Sequence, residues 1–269
     1  MFGRKSSSEK AEEHYGRAEQ EMSNDPPNYL IVYSNLLKAT KHNPHEILYW
    51  IELGKCQLKL SGIVRGRDIK LGTTTKAILK TIGSDVGDVD PVNLSHKSFQ
   101  SLRKAAELID EHEDIEFYKE YHIDDFFEVN SLLGAWHLDF AVNGAESSEI
   151  INNYVESKNY FLKALDAVRS VDSKYDHYYF VIYHGLVQIG IYQMYQLAYN
   201  GFVKWNEMGQ MDGSRIMFSG NVEKIKSLFA DTCNYWRELL VFCPDNEFEH
   251  FSKGLSSFEK DWISKFEEK

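Results

Sequence analysis

The sequence predicts an all-α protein of about nine helices, and three observations carry that prediction. Apolar residues recur at the i, i+3, i+4 spacing of an amphipathic helix through almost the whole chain, whereas alternating strand patterns are scarce. Only five of the 269 residues are prolines, so few positions forbid a helix. Hydrophobic residues make up 43% of the chain, which is enough to build a substantial core. We therefore expect a single helical domain over residues 8–269, behind a flexible basic tail at 1–7.

Caps and helix breakers set the expected bounds. Asn43 is expected to cap the third helix and Pro44 to take its first position, because these residues favour the N-cap and the first turn. Two stretches, 61–92 with its five glycines and 204–220, lack helical periodicity and are expected to be irregular insertions. The other eight helices are expected at about 8–22, 28–41, 93–112, 121–142, 147–170, 175–203, 220–241 and 245–267.

The helix expected at 175–203 is apolar and aromatic on more than one side. A helix that is apolar all round is usually buried on most sides, so this pattern favours a central core helix. The alternative is a wall of tyrosines that faces a ligand.

Charge and composition exclude several classes of function. The chain has 41 acidic and 30 basic residues and a net charge of −11, which argues against a general nucleic-acid binder. No apolar run approaches the length of a membrane span, and the first residues resemble no signal peptide. Its three cysteines are too few for a disulfide framework. These features favour a cytoplasmic protein with neither a membrane nor a nucleic acid as partner.

A spacing repeats at the two ends of the chain. Pro44 and Pro244 each precede a glycine by ten residues, Gly54 and Gly254. Upstream, the register matches as well: an apolar residue and then a small or apolar residue stand eight and five positions before each proline, namely Leu36 and Ala39, and Trp236 and Leu239. A glycine in one helix and a small residue in its neighbour allow two helices to approach closely.

The segment from Val32 to Gly54, with Trp50, Leu53 and Ala39, resembles the tetratricopeptide repeat (TPR) pattern W-x2-L-G…A…F…A…P. Glycines recur within helical patterns at Gly134 and Gly185, and small residues recur at Ala105 and Ala164. The resemblance implies antiparallel helix pairs stacked as a right-handed superhelix with insertions, whereas an irregular helical bundle is the alternative.

Members of the TPR family typically bind a peptide or a partner helix in a concave groove, which the first helix of each pair lines. The resemblance therefore implies a non-enzymatic interaction or scaffold module whose partner is another protein. Carried over by register, the groove positions are Leu48, Ile51, Lys55, Leu58, Glu128, Ser131, Ala135, Leu138, Tyr179, Ile182, Leu186 and Ile189.

The distribution of charge indicates a second class of function. The segment 61–80 is basic and rich in glycine and threonine, so a small molecule or anion bound by Arg65, Arg67 and Lys70 is the alternative function. The segment 107–128 is strongly acidic, and attraction between the two segments would make a homodimer possible.

No arrangement of residues predicts catalysis, a metal or a cofactor. Glu247 and His250 form the only E-x-x-H that opens a helix, whereas a di-iron bundle needs two such motifs and two further glutamates. We therefore expect a protein that is not an enzyme.

Overall fold

The computed structural model describes residues 6–66, 90–143, 149–170, 176–199 and 222–267. These residues contain ten helices and no strand, which confirms the all-α class. The helices are α1 Ser7–Met22, α2 Tyr29–His42, α3 Ile47–Gly66, α4 Pro91–Asp110, α5 Ile115–Tyr121, α6 Ile123–Asn143, α7 Ile150–Ser170, α8 Asp176–Tyr199, α9 Val222–Val241 and α10 Asp245–Glu267.

The helix beyond the expected nine is α5, which lies within the acidic segment 107–128. Within this charged stretch Tyr118 supplies an apolar anchor and is buried. The Tyr118 hydroxyl donates to Asp125 Oδ2 at 3.1 Å, which ties the short helix to the first turn of α6.

Two helix starts differ from the expected ones. Ser6 caps α1, since its hydroxyl accepts from Glu9 N while Glu9 accepts from Ser6 N in a capping box, so the helix begins one residue early. Asn43 ends α2 as its C-cap, and Pro44 lies in a turn before α3 begins at Ile47. The expected N-cap at Asn43 is therefore wrong.

The expected insertion at 61–92 is helical at both ends. The helix α3 continues to Gly66, and Asp90 caps α4 by accepting from Val92 N and Asn93 N. Pro91 takes the first position of α4, where its missing N–H costs nothing. Residues 67–89, and the whole of the expected insertion at 204–220, lie outside the described residues.

The chain divides into two compact units, residues 1–129 and residues 130–269, which we call unit 1 and unit 2. The single domain over 8–269 stays a prediction, and each unit is described by itself.

In unit 1, consecutive helices from α1 to α4 run antiparallel. Ser7 at the start of α1 donates to the carbonyl of His42 at the end of α2. Cys56 of α3 lies against the carbonyl of Tyr29 at the start of α2, and Ser61 bonds to Pro91. The main core cluster of this unit contains Ala18, Val32, Tyr33, Leu36, Leu53, Cys56, Leu60 and Leu94.

Unit 2 has Phe161 of α7 at its centre. The ring lies against both Gly134 of α6 and Gly185 of α8. Further along α8, Gly190 meets Thr232 of α9, and Gly254 of α10 meets Trp236. Glycine thus allows close helix approach at four places in this unit.

The C-terminal helix α10 packs on α8 and α9. Its stripe of Phe258 and Trp262 is buried, and the Trp262 ring meets Tyr195 of α8 at a centroid distance of 5.5 Å. Phe258 lies 5.7 Å from Phe229 and 5.5 Å from Trp236, both on α9.

One contact recurs in both units. Ser98 Oγ donates to the carbonyl of Gly54 at 2.8 Å, and Ser157 Oγ donates to that of Gly134 at 2.7 Å. In each case the residue four positions after the serine, Leu102 or Phe161, covers the glycine. The sequence carries the same signature at 98–105, "SFQSLRKA", and at 157–164, "SKNYFLKA".

The glycine predicted to pack closely does so, but not with the partner expected. Gly54 lies against Leu102 of α4, where a Cβ would stand 2.7 Å from Leu102 Cγ. Ala39 belongs to a separate buried cluster with Ala11 and Tyr49.

Candidate functional site

The expected groove positions of unit 1 are divided between core and surface. Ile51 is fully buried, while Leu48 and Leu58 are half-buried. Lys55 Nζ lies 2.9 Å from a carboxylate oxygen of Glu52 and 2.9 Å from one of Glu128, so it is engaged within the chain. Lys55 and Glu128, both expected to line the groove, form an ion pair with each other.

The expected groove positions of unit 2 belong largely to the core. Ile182, Leu186 and Ile189 are 0–2% exposed, because α8 is covered by α7 on one side and α9 on the other. Tyr179 is half-buried and stacks on Phe242 at a centroid distance of 4.5 Å. Of the other positions, Ser131 and Leu138 are buried and Ala135 is exposed.

An open groove at Ile51, Ile182, Leu186 and Ile189 is therefore a wrong expectation. Their burial instead confirms the core interpretation of the 175–203 helix.

Most of the expected anion site lies outside the described residues. Arg65 lies in the last turn of α3, and Arg67 and Lys70 lie outside the described residues, so this site stays a prediction. Glu247 and His250 are exposed on α10. Within the described ranges, no three His, Cys, Asp or Glu side chains are grouped to hold a metal ion. None of the helices, as far as the chain is described, combines the length and apolar character needed to cross a membrane.

Unit 1 carries an open cavity that the sequence analysis did not predict. It has a volume of about 420 Å³ and lies on the surface formed by α2, α3 and α4. We call it the Gln57 groove, and its lining residues are Tyr33, Leu37, Trp50, Leu53, Gln57, Lys97, Gln100, Ser101 and Lys104.

One wall of the Gln57 groove is apolar. It comes from α2 and α3, where Leu37 and Trp50 are half-buried and pack against the core cluster of unit 1. Trp50 Nε1 donates to the carbonyl of Pro44 at 2.9 Å, which fixes the indole. The turn that replaces the expected helix start at Pro44 thus positions this wall.

The opposite wall is polar and cationic. The helix α4 places Lys97, Gln100, Ser101 and Lys104 along one stripe, since residues three and four apart share a helix face. Lys104 Nζ stands 3.9 Å from Glu107, at the limit of an ion pair, and its side chain is 38% exposed. Among the described residues, no acid lines the groove.

Gln57 lies at the floor and is 2% exposed. Ser101 Oγ donates to its Oε1 at 2.9 Å. The amide oxygen thus lies on Ser101, with the NH2 group on the other side of the amide, and Gln57 is one of the residues that line the cavity.

Comparisons with protein-family models, curated proteins and solved structures find no match to this chain. A function therefore has to be argued from the site itself.

Two sequence signals for the groove were readable. Gln57 occupies a position where the TPR pattern usually has an aromatic residue, so a smaller polar side chain leaves space there. Lys97, Gln100 and Lys104 follow i, i+3, i+7 spacing, which places three polar side chains on one face of α4.

Proposed function

We propose that this chain is a non-enzymatic protein-interaction module of TPR-like form, which binds a peptide segment of another protein in the Gln57 groove. The observation that carries the proposal is the groove itself: an open cavity of about 420 Å³ whose apolar wall faces a polar, cationic one. A peptide presents apolar side chains and polar backbone groups together, and such a mixed surface suits both.

The TPR-like arrangement is supported by local contacts. Antiparallel neighbours, and glycines buried against a serine and a larger residue at Gly54 and Gly134, are what closely stacked helix pairs require. The cytoplasmic location and the absence of enzymatic activity stay predictions. No contact of the described residues favours the anion-binding alternative.

A peptide selection tests the proposal. The full chain is used to select from a displayed library of random peptides, and enriched peptides are then measured by fluorescence polarisation. We expect enrichment, and we expect Gln100→Trp to abolish binding, because Gln100 is exposed on the groove wall and the larger side chain fills the cavity.

Val92→Trp is the matched control, since Val92 is 58% exposed on the same helix and does not line the groove. It should bind as the wild type does. Failure to enrich any peptide, or equal binding by the Gln100→Trp variant, would contradict the proposal.

A further inference from the structure

The inference concerns what the partner presents to the Gln57 groove, and it rests on the proposed function. The starting point is Gln57. An amide that is 2% exposed needs partners for its donors as well as its acceptor, and Ser101 satisfies the acceptor alone. Gln57 also lines the cavity, so its NH2 group can donate to a partner that enters the groove.

The second observation is charge. The chain carries a net charge of −11, yet the nine residues that line this groove include two lysines and no acid. Lys104 is held only by a long contact with Glu107 at 3.9 Å, and such exposed pairs contribute about 0–1 kcal/mol. A carboxylate from a partner can replace that contact at little cost.

The third observation is the wall opposite the lysines. Trp50 and Leu37 present apolar surface, and the indole N–H is already used by the carbonyl of Pro44. This wall therefore offers apolar contact and no further donor. It accommodates an aliphatic or aromatic side chain that stands next to the anionic group.

We infer that the groove recognises a peptide segment in which a carboxylate side chain lies beside an apolar one. The carboxylate accepts from the Gln57 NH2 group and lies near Lys104 and Lys97, and the apolar side chain packs on Trp50 and Leu37. A nucleic acid fits less well, because a polyanion is repelled by a chain with a net charge of −11. The apolar wall of Trp50 and Leu37 also offers no partner for a second phosphate.

The test uses the peptides enriched by the full chain and two matched derivatives of each. In one derivative every Asp and Glu becomes Asn and Gln, and in the other the apolar residues become Ser. Hydrogen bonds to a charged group contribute enough that we expect about a tenfold loss or more from the first derivative. The second derivative should weaken binding by a similar factor.

Variants of the protein give an independent arm. Lys104→Glu should lower the affinity for the acidic peptides by about tenfold, because it places a like charge in the groove. Lys59→Glu is the matched control, since Lys59 is exposed on α3 and does not line the groove. Gln57→Glu keeps the shape but replaces the donors with a carboxylate, and it should also reject acidic peptides.

The outcomes separate the two proposals. If peptides bind in the groove but their amide derivatives bind equally well, the carboxylate inference is overturned and the interaction module stands. If the Lys104 and Lys59 variants lose affinity equally, the effect is net charge and the inference again fails. If no peptide binds, both proposals fail. Peptides that bind the wild type, lose affinity as amides and lose it again with Lys104→Glu support the inference.

Discussion

Replacing Gly185 with alanine should destabilise the protein, although alanine is the better helix former. Gly185 lies inside α8, directly against the ring of Phe161, and a Cβ there would stand 2.6 and 2.7 Å from the two Cε atoms. Real Cβ atoms do not approach a ring that closely. Phe161 is 3% exposed and its ring also lies close to Gly134, so a shift of the ring away from a new Cβ is costly in this packed core.

The size of the effect follows from two opposing contributions. Overpacking a close-packed core costs about 1–3 kcal/mol. The gain in helix propensity from glycine to alanine is about 0.8–1 kcal/mol. The net change in the free energy of unfolding should therefore be a loss of about 0–2 kcal/mol, and Gly134→Ala should lose less because its contact is 2.9 Å.

Gly16→Ala is the matched control. Gly16 also lies inside a helix, but nothing lies within 4 Å of its Cβ position. It should gain about 0.8–1 kcal/mol, so the two variants should differ by about 1–3 kcal/mol. Urea unfolding followed by circular dichroism measures both. Equal stabilisation by the two substitutions would refute the close contact at Phe161. In a Phe161→Leu background the cost at Gly185 should shrink, which a double-mutant cycle detects.

Two further predictions concern unit 2. Trp262→Ala should lower the free energy of unfolding by about 3–5 kcal/mol, because the indole is fully buried and its ring meets Tyr195 of α8. Ile263→Ala, at a neighbouring side chain that is 46% exposed, should change the free energy of unfolding little. Equal effects of the two substitutions in urea melts would mean that α10 is not docked. Burial lowers the pKa of His137, although its hydrogen bond to Asn153 and the charge of Glu156 oppose the shift, so the unfolded state binds the proton more readily. The free energy of unfolding should therefore be full above about pH 6.5 and fall as the pH drops below it, and His137→Gln should flatten that fall. An unchanged pH profile of the urea midpoint in the variant would count against the burial of His137.

The fold class was predictable because helical periodicity is a local signal. Most helix positions and the close approach at Gly54 follow from residues a few positions apart in the sequence. The short helix α5 was missed because it lies within a strongly acidic segment, and one buried side chain, Tyr118, anchors it. The start of α1 was readable from Ser6 and Glu9, which form the capping box.

The prediction of the groove residues was wrong for a different reason. The register of a repeat says which face of a helix looks towards a given neighbour, but not how deeply that face is covered. The all-round apolar pattern of α8 already predicted burial on most sides, and the buried Ile182 and Leu186 show that this signal outweighed the register. The cavity depends on how far three separate helices stand apart, which no spacing in the sequence records.

A polar contact between paired helices occurs at equivalent positions in the two units. The position three residues after the glycine is Gln57 in α3 and His137 in α6. Each meets the following helix through a hydrogen bond, Gln57 with Ser101 and His137 with Asn153.

If one helix of the pair shifted by a turn, both polar side chains would lose their hydrogen bond inside the protein. These bonds therefore set the register of each helix pair. The surroundings then differ. The ring of His137 is enclosed between Trp136 and Tyr160, which leaves it a structural role. Gln57 meets Ser101 through its oxygen and lines an open cavity. The same kind of contact between paired helices thus places, in unit 1, a polar side chain at the cavity where we propose that a partner binds.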